Sequence, residues 1–214
     1  MIAPPTYQRR EIHLFAGFLQ DADLPTGTFR IWSTIYEQCA GPNCVVQMHA
    51  WDTNPRVLAQ RIANSALGVN PARVDIVLGG YSFGGMTAAL VAKQLRAVGH
   101  RVRKMVLCDP VYRHWYYAGW WRSLIPWSQI TIPSNVSDVE YFLQRNPRFE
   151  IGRYGGIIQP AGHDVVPEFP DFYKPKIHEP TILECNHSAM DESTQYRDAL
   201  ISACRCSKDA KEIY

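Results

Sequence analysis

The 214-residue chain contains no apolar run approaching the 18 or more residues of a membrane-spanning helix. It also lacks an excess of charge of one sign, with 22 Lys and Arg against 20 Asp and Glu and a formal net charge of +2. That balance gives no electrostatic footprint for nucleic acid or for an anionic membrane surface. Internal repeats and low-complexity segments are missing, so the chain reads as one unit, not an array. The opening stretch MIAPPTYQRREIHLF has prolines where a signal peptide carries its apolar core, and a cytoplasmic location is expected. The six cysteines show no metal-binding arrangement: neither Cys39 with Cys44 nor Cys204 with Cys206 has the partnered spacing of a zinc site. Cys108 and Cys185 fall in apolar runs and read as small buried hydrophobes. A Cys39–Cys44 disulfide would need an oxidising compartment, and the sequons at Asn135 and Asn186 are inert for the same reason. The pairs Gly79-Gly80 and Gly84-Gly85 do not make G-x-G-x-x-G, and no acidic residue occupies the ribose position. No metal, nucleotide, flavin or other cofactor is expected.

What is present is an apolar fraction of 46% with 20% charged residues, the composition of a soluble globular protein. The length suits one domain, 1–214, burying about 70% of the surface its unfolded chain exposes. Strand-like and helix-like patterns alternate. Strands are expected at 11–15, 44–50, 74–78, 102–108, 138–144 and 181–185, and helices at 28–38, 55–67, 86–95 and 191–204, the last opened by Ser188 and Asp191. A turn or short hairpin is expected over 155–166, and 207–214 reads as a flexible tail. Such alternation predicts an α/β fold, a mostly parallel central sheet with helices on both faces.

The densest chemical signal is VDIVLGGYSFGGMTAAL, residues 74–90. An apolar, β-branched run meets Gly80-Tyr81-Ser82-Phe83-Gly84 and passes into a small-residue helical pattern, so a serine sits on a sharp strand-to-helix turn. In these residues the chain resembles the α/β-hydrolase superfamily, with Ser82 in the place of the nucleophile. The resemblance implies a minimal α/β-hydrolase domain and a chain order of Ser, acid, His.

A serine hydroxyl needs a base, and the base needs a third group to orient it. Seven histidines compete. His13 and His49 lie in early strands and read as satisfied core or strand-end residues. His100 suits the surface near a helix end, while His114 belongs to an aromatic segment and His178 precedes the last strand. His187, just after TILEC, has the position the resemblance asks for; His163, beside Asp164, is its rival. For the acid, Asp109 ends the strand VRKMVLC and Pro110 forces the chain out of the sheet there, as in the Leu-Asp-Pro segment of pancreatic-type lipases. Asp164 is the alternative acid. The oxyanion hole is expected from the backbone N–H of Phe83 and from the turn after the first strand, at Phe18 or Leu19.

Residues 112–135 hold four of the six tryptophans and three of the eleven tyrosines without a strand or helix period. They read as a short lid-like wall or, equally, as a self-packed loop. With Tyr81, the residues Trp115, Trp120 and Trp121 are the expected substrate contacts. The expected activity is hydrolysis of a carboxylic ester or thioester bearing an apolar group, with a small-molecule substrate, no nucleic-acid partner and no integral membrane association. Acyl transfer by the same three residues, or a non-catalytic binding module on the same fold, are the alternatives.

Overall fold

The computed structural model describes residues 7–18, 20, 26–112, 128–144, 149–151, 158–160, 162–169 and 175–205. In chain order its elements are β1 (Arg9–Phe15), α1 (Gly27–Cys39), β2 (Cys44–His49), α2 (Pro55–Ser65), β3 (Val74–Tyr81), α3 (Phe83–Ala97) and β4 (Val102–Cys108). There follow β5 (Ile130–Ile132), β6 (Val136–Gln144), β7 (Phe149–Ile151), β8 (Ile158–Pro160), β9 (Val165–Pro167), β10 (Lys176–Ile177), β11 (Thr181–Leu183) and α4 (Thr194–Cys204).

β3 is buried at every position, which is why its apolar residues run together instead of alternating with polar ones. It is flanked by β1 and β4, in a seven-stranded sheet ordered β2, β1, β3, β4, β6, with β10 and β11 both on the far edge of β6. Every strand pair in this sheet is parallel. Successive side chains leave opposite faces of a strand. Phe15, Ile76, Leu78, Met105 and Leu107 meet α2 and α3 on one face. On the other, Ile12, Leu14, Val77 and Val106 meet α1 and α4. The architecture is the expected α/β one, a parallel central sheet flanked by helices. No described helix is long and apolar enough to cross a membrane.

Local chemistry sets the helix starts. Thr26 accepts from the Phe29 N–H, Asn54 accepts from Arg56 and Val57 with Pro55 in the first turn, and Ser193 accepts from the Tyr196 N–H. The terminal helix was expected from Asp191; it starts instead at Thr194, after a 3-10 turn at His187–Glu192. The Asp191 carboxylate serves the amino end of α1 instead, accepting from the Thr28 N–H and hydroxyl. His100 also departs from expectation and is buried, not on the surface. Gly99 adopts φ 81°, a left-handed turn that folds the His100 N–H back onto the Leu95 carbonyl.

β5 lies inside the aromatic stretch and pairs with β9, outside the main sheet, while β7 and β8 form an antiparallel pair. Three-residue strands are too short to imprint a period. The Trp-rich positions 113–127 and the tail 206–214 lie outside the described residues.

Candidate active site

After β1 the chain places β2 on one side, and then β3 on the other. Open parallel sheets build sites outside the carboxyl ends of the strands at such a reversal. Here the turn after β1 and the Ser82 turn after β3 face each other across it.

Ser82 has φ 54° and ψ −125°, strained values for a residue with a Cβ. The flanking glycines make the turn sterically feasible. A Cβ on Gly80 would lie 2.5 Å from the Gly84 carbonyl oxygen, and one on Gly84 would run into the carbonyl oxygens of Phe15 and Ala16. Hence α3 starts hard against the end of β1. The exit of β4 braces the serine further: its N–H donates to the Cys108 carbonyl and its own carbonyl accepts from Val111, both at 3.0 Å.

The expected partners converge on this serine. His187, the first residue of the 3-10 turn after β11, brings Nε2 to 2.9 Å from Ser82 Oγ, and its Nδ1 meets Asp109 Oδ2. With Nδ1–H donating to the carboxylate, Nε2 is left to accept from the serine hydroxyl. Asp109 follows β4 with φ 43°; among described non-glycine residues, Ser82 and Asp109 are the two with positive φ. Its second oxygen, Oδ1, accepts from Gln144 N–H at 3.2 Å and Gly162 N–H at 3.1 Å, so the carboxylate is immobilised. All three side chains are buried.

The rival residues lie elsewhere. His163 Nδ1 accepts from the Tyr112 N–H at 3.0 Å, and its own N–H donates to the Pro110 carbonyl, so it packs around the Asp109 turn. Asp164 is exposed. Burial holds the Cys108 thiol well above its ordinary range, with Asp109 adding to the effect, so this neighbour of the acid stays a neutral thiol.

The turn after β1 is closed by Gln20 N–H donating to the Gly17 carbonyl at 3.0 Å. No described residue accepts from the N–H of Phe18 or of Phe83, and their rings lie 5.3 Å apart. Leu19 is outside the described residues. Tyr81 differs from its expected place at the substrate: it is 4% exposed, its hydroxyl donates to the His187 carbonyl at 2.6 Å and its ring stacks on the imidazole. It props the histidine from beneath. Trp115, Trp120 and Trp121 lie outside the described residues.

Sequence reasoning passed over Trp51. Its ring packs against Phe18 at 4.9 Å and Phe83 at 6.0 Å, forming an aromatic cluster next to Ser82, and its carbonyl accepts from the Thr87 hydroxyl of α3. The available signal was an aromatic residue two positions after the carboxyl end of β2, on the edge that carries the serine.

Two buried polar clusters lie off the site. Asp75 of β3 accepts from Arg10 at 2.7 Å and Arg103 at 2.5 Å, and the same guanidiniums donate to the carbonyls of Cys204 and Ala203 at the end of α4. Glu11, His13 and His49 form a chain, with Glu11 Oε2 to His13 Nε2 at 3.1 Å and His13 Nδ1 to His49 Nε2 at 2.9 Å. Among the described residues no group of three or more His, Cys, Asp or Glu is arranged to hold a metal ion. Cys39 and Cys44 are not joined in a disulfide.

No family model matches the chain and no curated protein matches its sequence. Solved structures of similar layout include a protein from Xanthomonas campestris pv. campestris described as a hydrolase of the alpha/beta superfamily. It is 13% identical, over 91% of this chain and 95% of that one, with a TM-score of 0.44. The RedJ thioesterase of the prodiginine pathway in Streptomyces coelicolor is 15% identical, over 95% and 90%, with a TM-score of 0.48. A cutinase-like protein from a Cryptococcus species is 16% identical, over 92% and 94%, with a TM-score of 0.42. At such identities the site's own geometry has to carry any statement about chemistry.

Proposed function

We propose that this protein is a serine hydrolase of carboxylic esters or thioesters, acting through Ser82, His187 and Asp109. The observation that carries the reading is the unbroken line from Ser82 Oγ through both ring nitrogens of His187 to a carboxylate fixed by two backbone N–H groups. A structural hydrogen bond would not need a serine held at φ 54°.

In the proposed reaction Ser82 Oγ attacks the substrate carbonyl while His187 Nε2 takes the hydroxyl proton. Asp109 stabilises the imidazolium through Nδ1–H and remains ionised. The N–H groups of Phe83 and Phe18 receive the negative charge that develops on the carbonyl oxygen. Collapse of the tetrahedral intermediate breaks the bond to the alcohol or thiol, which leaves with the proton from His187. Water, deprotonated by the same nitrogen, then attacks the acyl-serine and releases the acid, returning the hydrogen to Ser82. The Phe18, Trp51 and Phe83 rings beside the serine suit an apolar acyl group, and Phe18 is 44% exposed and open to one.

The test is turnover of p-nitrophenyl esters and acyl thioesters of increasing chain length by wild type, Ser82→Ala and His187→Ala. Either substitution is expected to lower kcat by about 10⁴-fold or more. Unchanged turnover in both variants would refute the assignment.

A further inference from the structure

The mechanism needs two separate turns in fixed relation: 16–20, which offers the Phe18 N–H, and His187–Glu192, which carries the base. One buried side chain joins them. Asp191, four residues after His187, is 2% exposed and has no role in the proton path. Its Oδ2 accepts from Gln20 Nε2 at 3.2 Å, from the Thr28 N–H at 3.1 Å and from the Thr28 hydroxyl at 3.3 Å. Gln20 in turn uses its Oε1 to accept from the Gly17 N–H at 3.0 Å. The backbone follows suit, since the Gly17 carbonyl accepts from the Gln20 N–H.

These contacts fix one peptide plane. The Gly17 carbonyl and the Phe18 N–H belong to the same rigid trans unit and point in opposite directions. Pinning the carbonyl onto Gln20 therefore aims the Phe18 N–H away from Gln20. Pinning the Gly17 N–H onto the Gln20 side chain fixes the preceding plane as well. The carboxamide cannot flip without turning an N–H donor toward the Gly17 N–H and a carbonyl toward the carboxylate, so Asp191 sets its orientation. Tight packing keeps Asp191 in place, because a Cβ on Gly27 would lie 2.5 Å from its carbonyl carbon.

We infer that Gln20 and Asp191 are positioning residues that lock the oxyanion-binding N–H of Phe18 to the turn bearing the general base. The inference rests on the proposed serine-hydrolase reading and adds a coupling between its two halves. The pair acts on charge that appears only in the transition state, so its loss lowers kcat and leaves KM in place. Complete removal of an oxyanion donor costs about 10²–10³-fold; mis-aiming one is expected to cost about 10–100-fold.

The test compares Gln20→Leu, Asp191→Ala, Asp191→Asn and the double variant Gln20→Leu with Asp191→Ala. Two measurements are made: kcat and KM on a p-nitrophenyl ester, and the rate of Ser82 labelling by a fluorophosphonate, which also develops charge on oxygen. Gln20→Leu and Asp191→Ala are expected to slow both by about 10–100-fold at unchanged KM, and the double variant no more than the worse single one. Asp191→Asn, whose amide oxygen can replace Oδ2 for all three donors, is expected to stay within a few-fold of wild type. Gln20 lies in a surface turn, so Gln20→Leu carries the test if Asp191→Ala does not fold. Wild-type rates in Gln20→Leu, or a rise in KM without a fall in kcat, would overturn the coupling while leaving the hydrolase reading intact. Absence of labelling in wild type would overturn both.

Discussion

Each end of the sheet holds a buried aspartate, and the two are solvated by opposite means. At the amino end Asp75 lies between two guanidiniums, Arg10 and Arg103, which carry permanent positive charge and extend to the last carbonyls of α4. At the carboxyl end Asp109 has two backbone N–H groups and an imidazole. A guanidinium cannot give up its proton, so the first cluster is a clamp. An imidazole can both accept and donate a proton, so on the proposed reading the second can hold charge transiently. On that reading, the same residue type in the same sheet is thus directed to architecture or to chemistry by whether its cation is permanent or made on demand.

The sharpest way to break this contrast is to neutralise each aspartate in turn. Asp109→Asn is expected to lower kcat by about 10³–10⁴-fold, because the amide no longer supports the productive imidazole tautomer. The melting temperature should move less than for its counterpart. Asp75→Asn leaves two partly buried guanidiniums facing an amide. It is expected to cost about 3–5 kcal/mol in chemical denaturation, with kcat of the folded enzyme unchanged. Equal effects on both readouts in both variants would erase the distinction.

A gentler effect comes from His49, which contacts neither aspartate and closes the Glu11–His13 chain. Burial, assisted by repulsion from His13 and Arg61, lowers its pKa from the ordinary 6.5 to about 3. The unfolded chain therefore takes up a proton that the folded one refuses. The associated stability is complete above about pH 6.5 and is lost as pH falls toward 3. Melting temperatures taken between pH 7 and pH 4 should decline, and His49→Gln should make that decline shallower. The smallest expected change is for Tyr81→Phe, which removes the hydroxyl from the His187 carbonyl. It should cost about 1 kcal/mol, read as a few-fold fall in kcat at constant KM.

These contrasts also mark which parts of the molecule were legible in the sequence. β3, the Ser82 turn and α3 are contiguous, so one window of residues records them, and the parallel sheet follows from strands and helices in alternation. Pro110 marked where β4 releases the chain and so drew attention to Asp109. His187 stood out through the resemblance, by its place after the last strand. Gln20 and Asp191 left no such mark, and Trp51 left only its place after β2. Each acts through a partner far along the chain, and Asp191 followed Ser188 at the spacing of a helix start although its carboxylate serves α1. The short strands β5, β9 and β10 exist through pairing alone, and two or three residues carry no period of their own.

Gly79 gives the sheet a bare patch of backbone, and Leu200 of α4 sits against it: a Cβ there would lie 2.6 Å from the leucine. Ser82 and His187 are 105 residues apart in sequence, and the helix that seats on Gly79 comes later still. On the proposed reading, a chain emerging from the ribosome therefore presents the Ser82 turn and the turn after β1 long before it has His187 to serve as a base. As a serine hydrolase of the proposed kind, it keeps Ser82 an ordinary alcohol until the segment bearing His187 has joined the sheet.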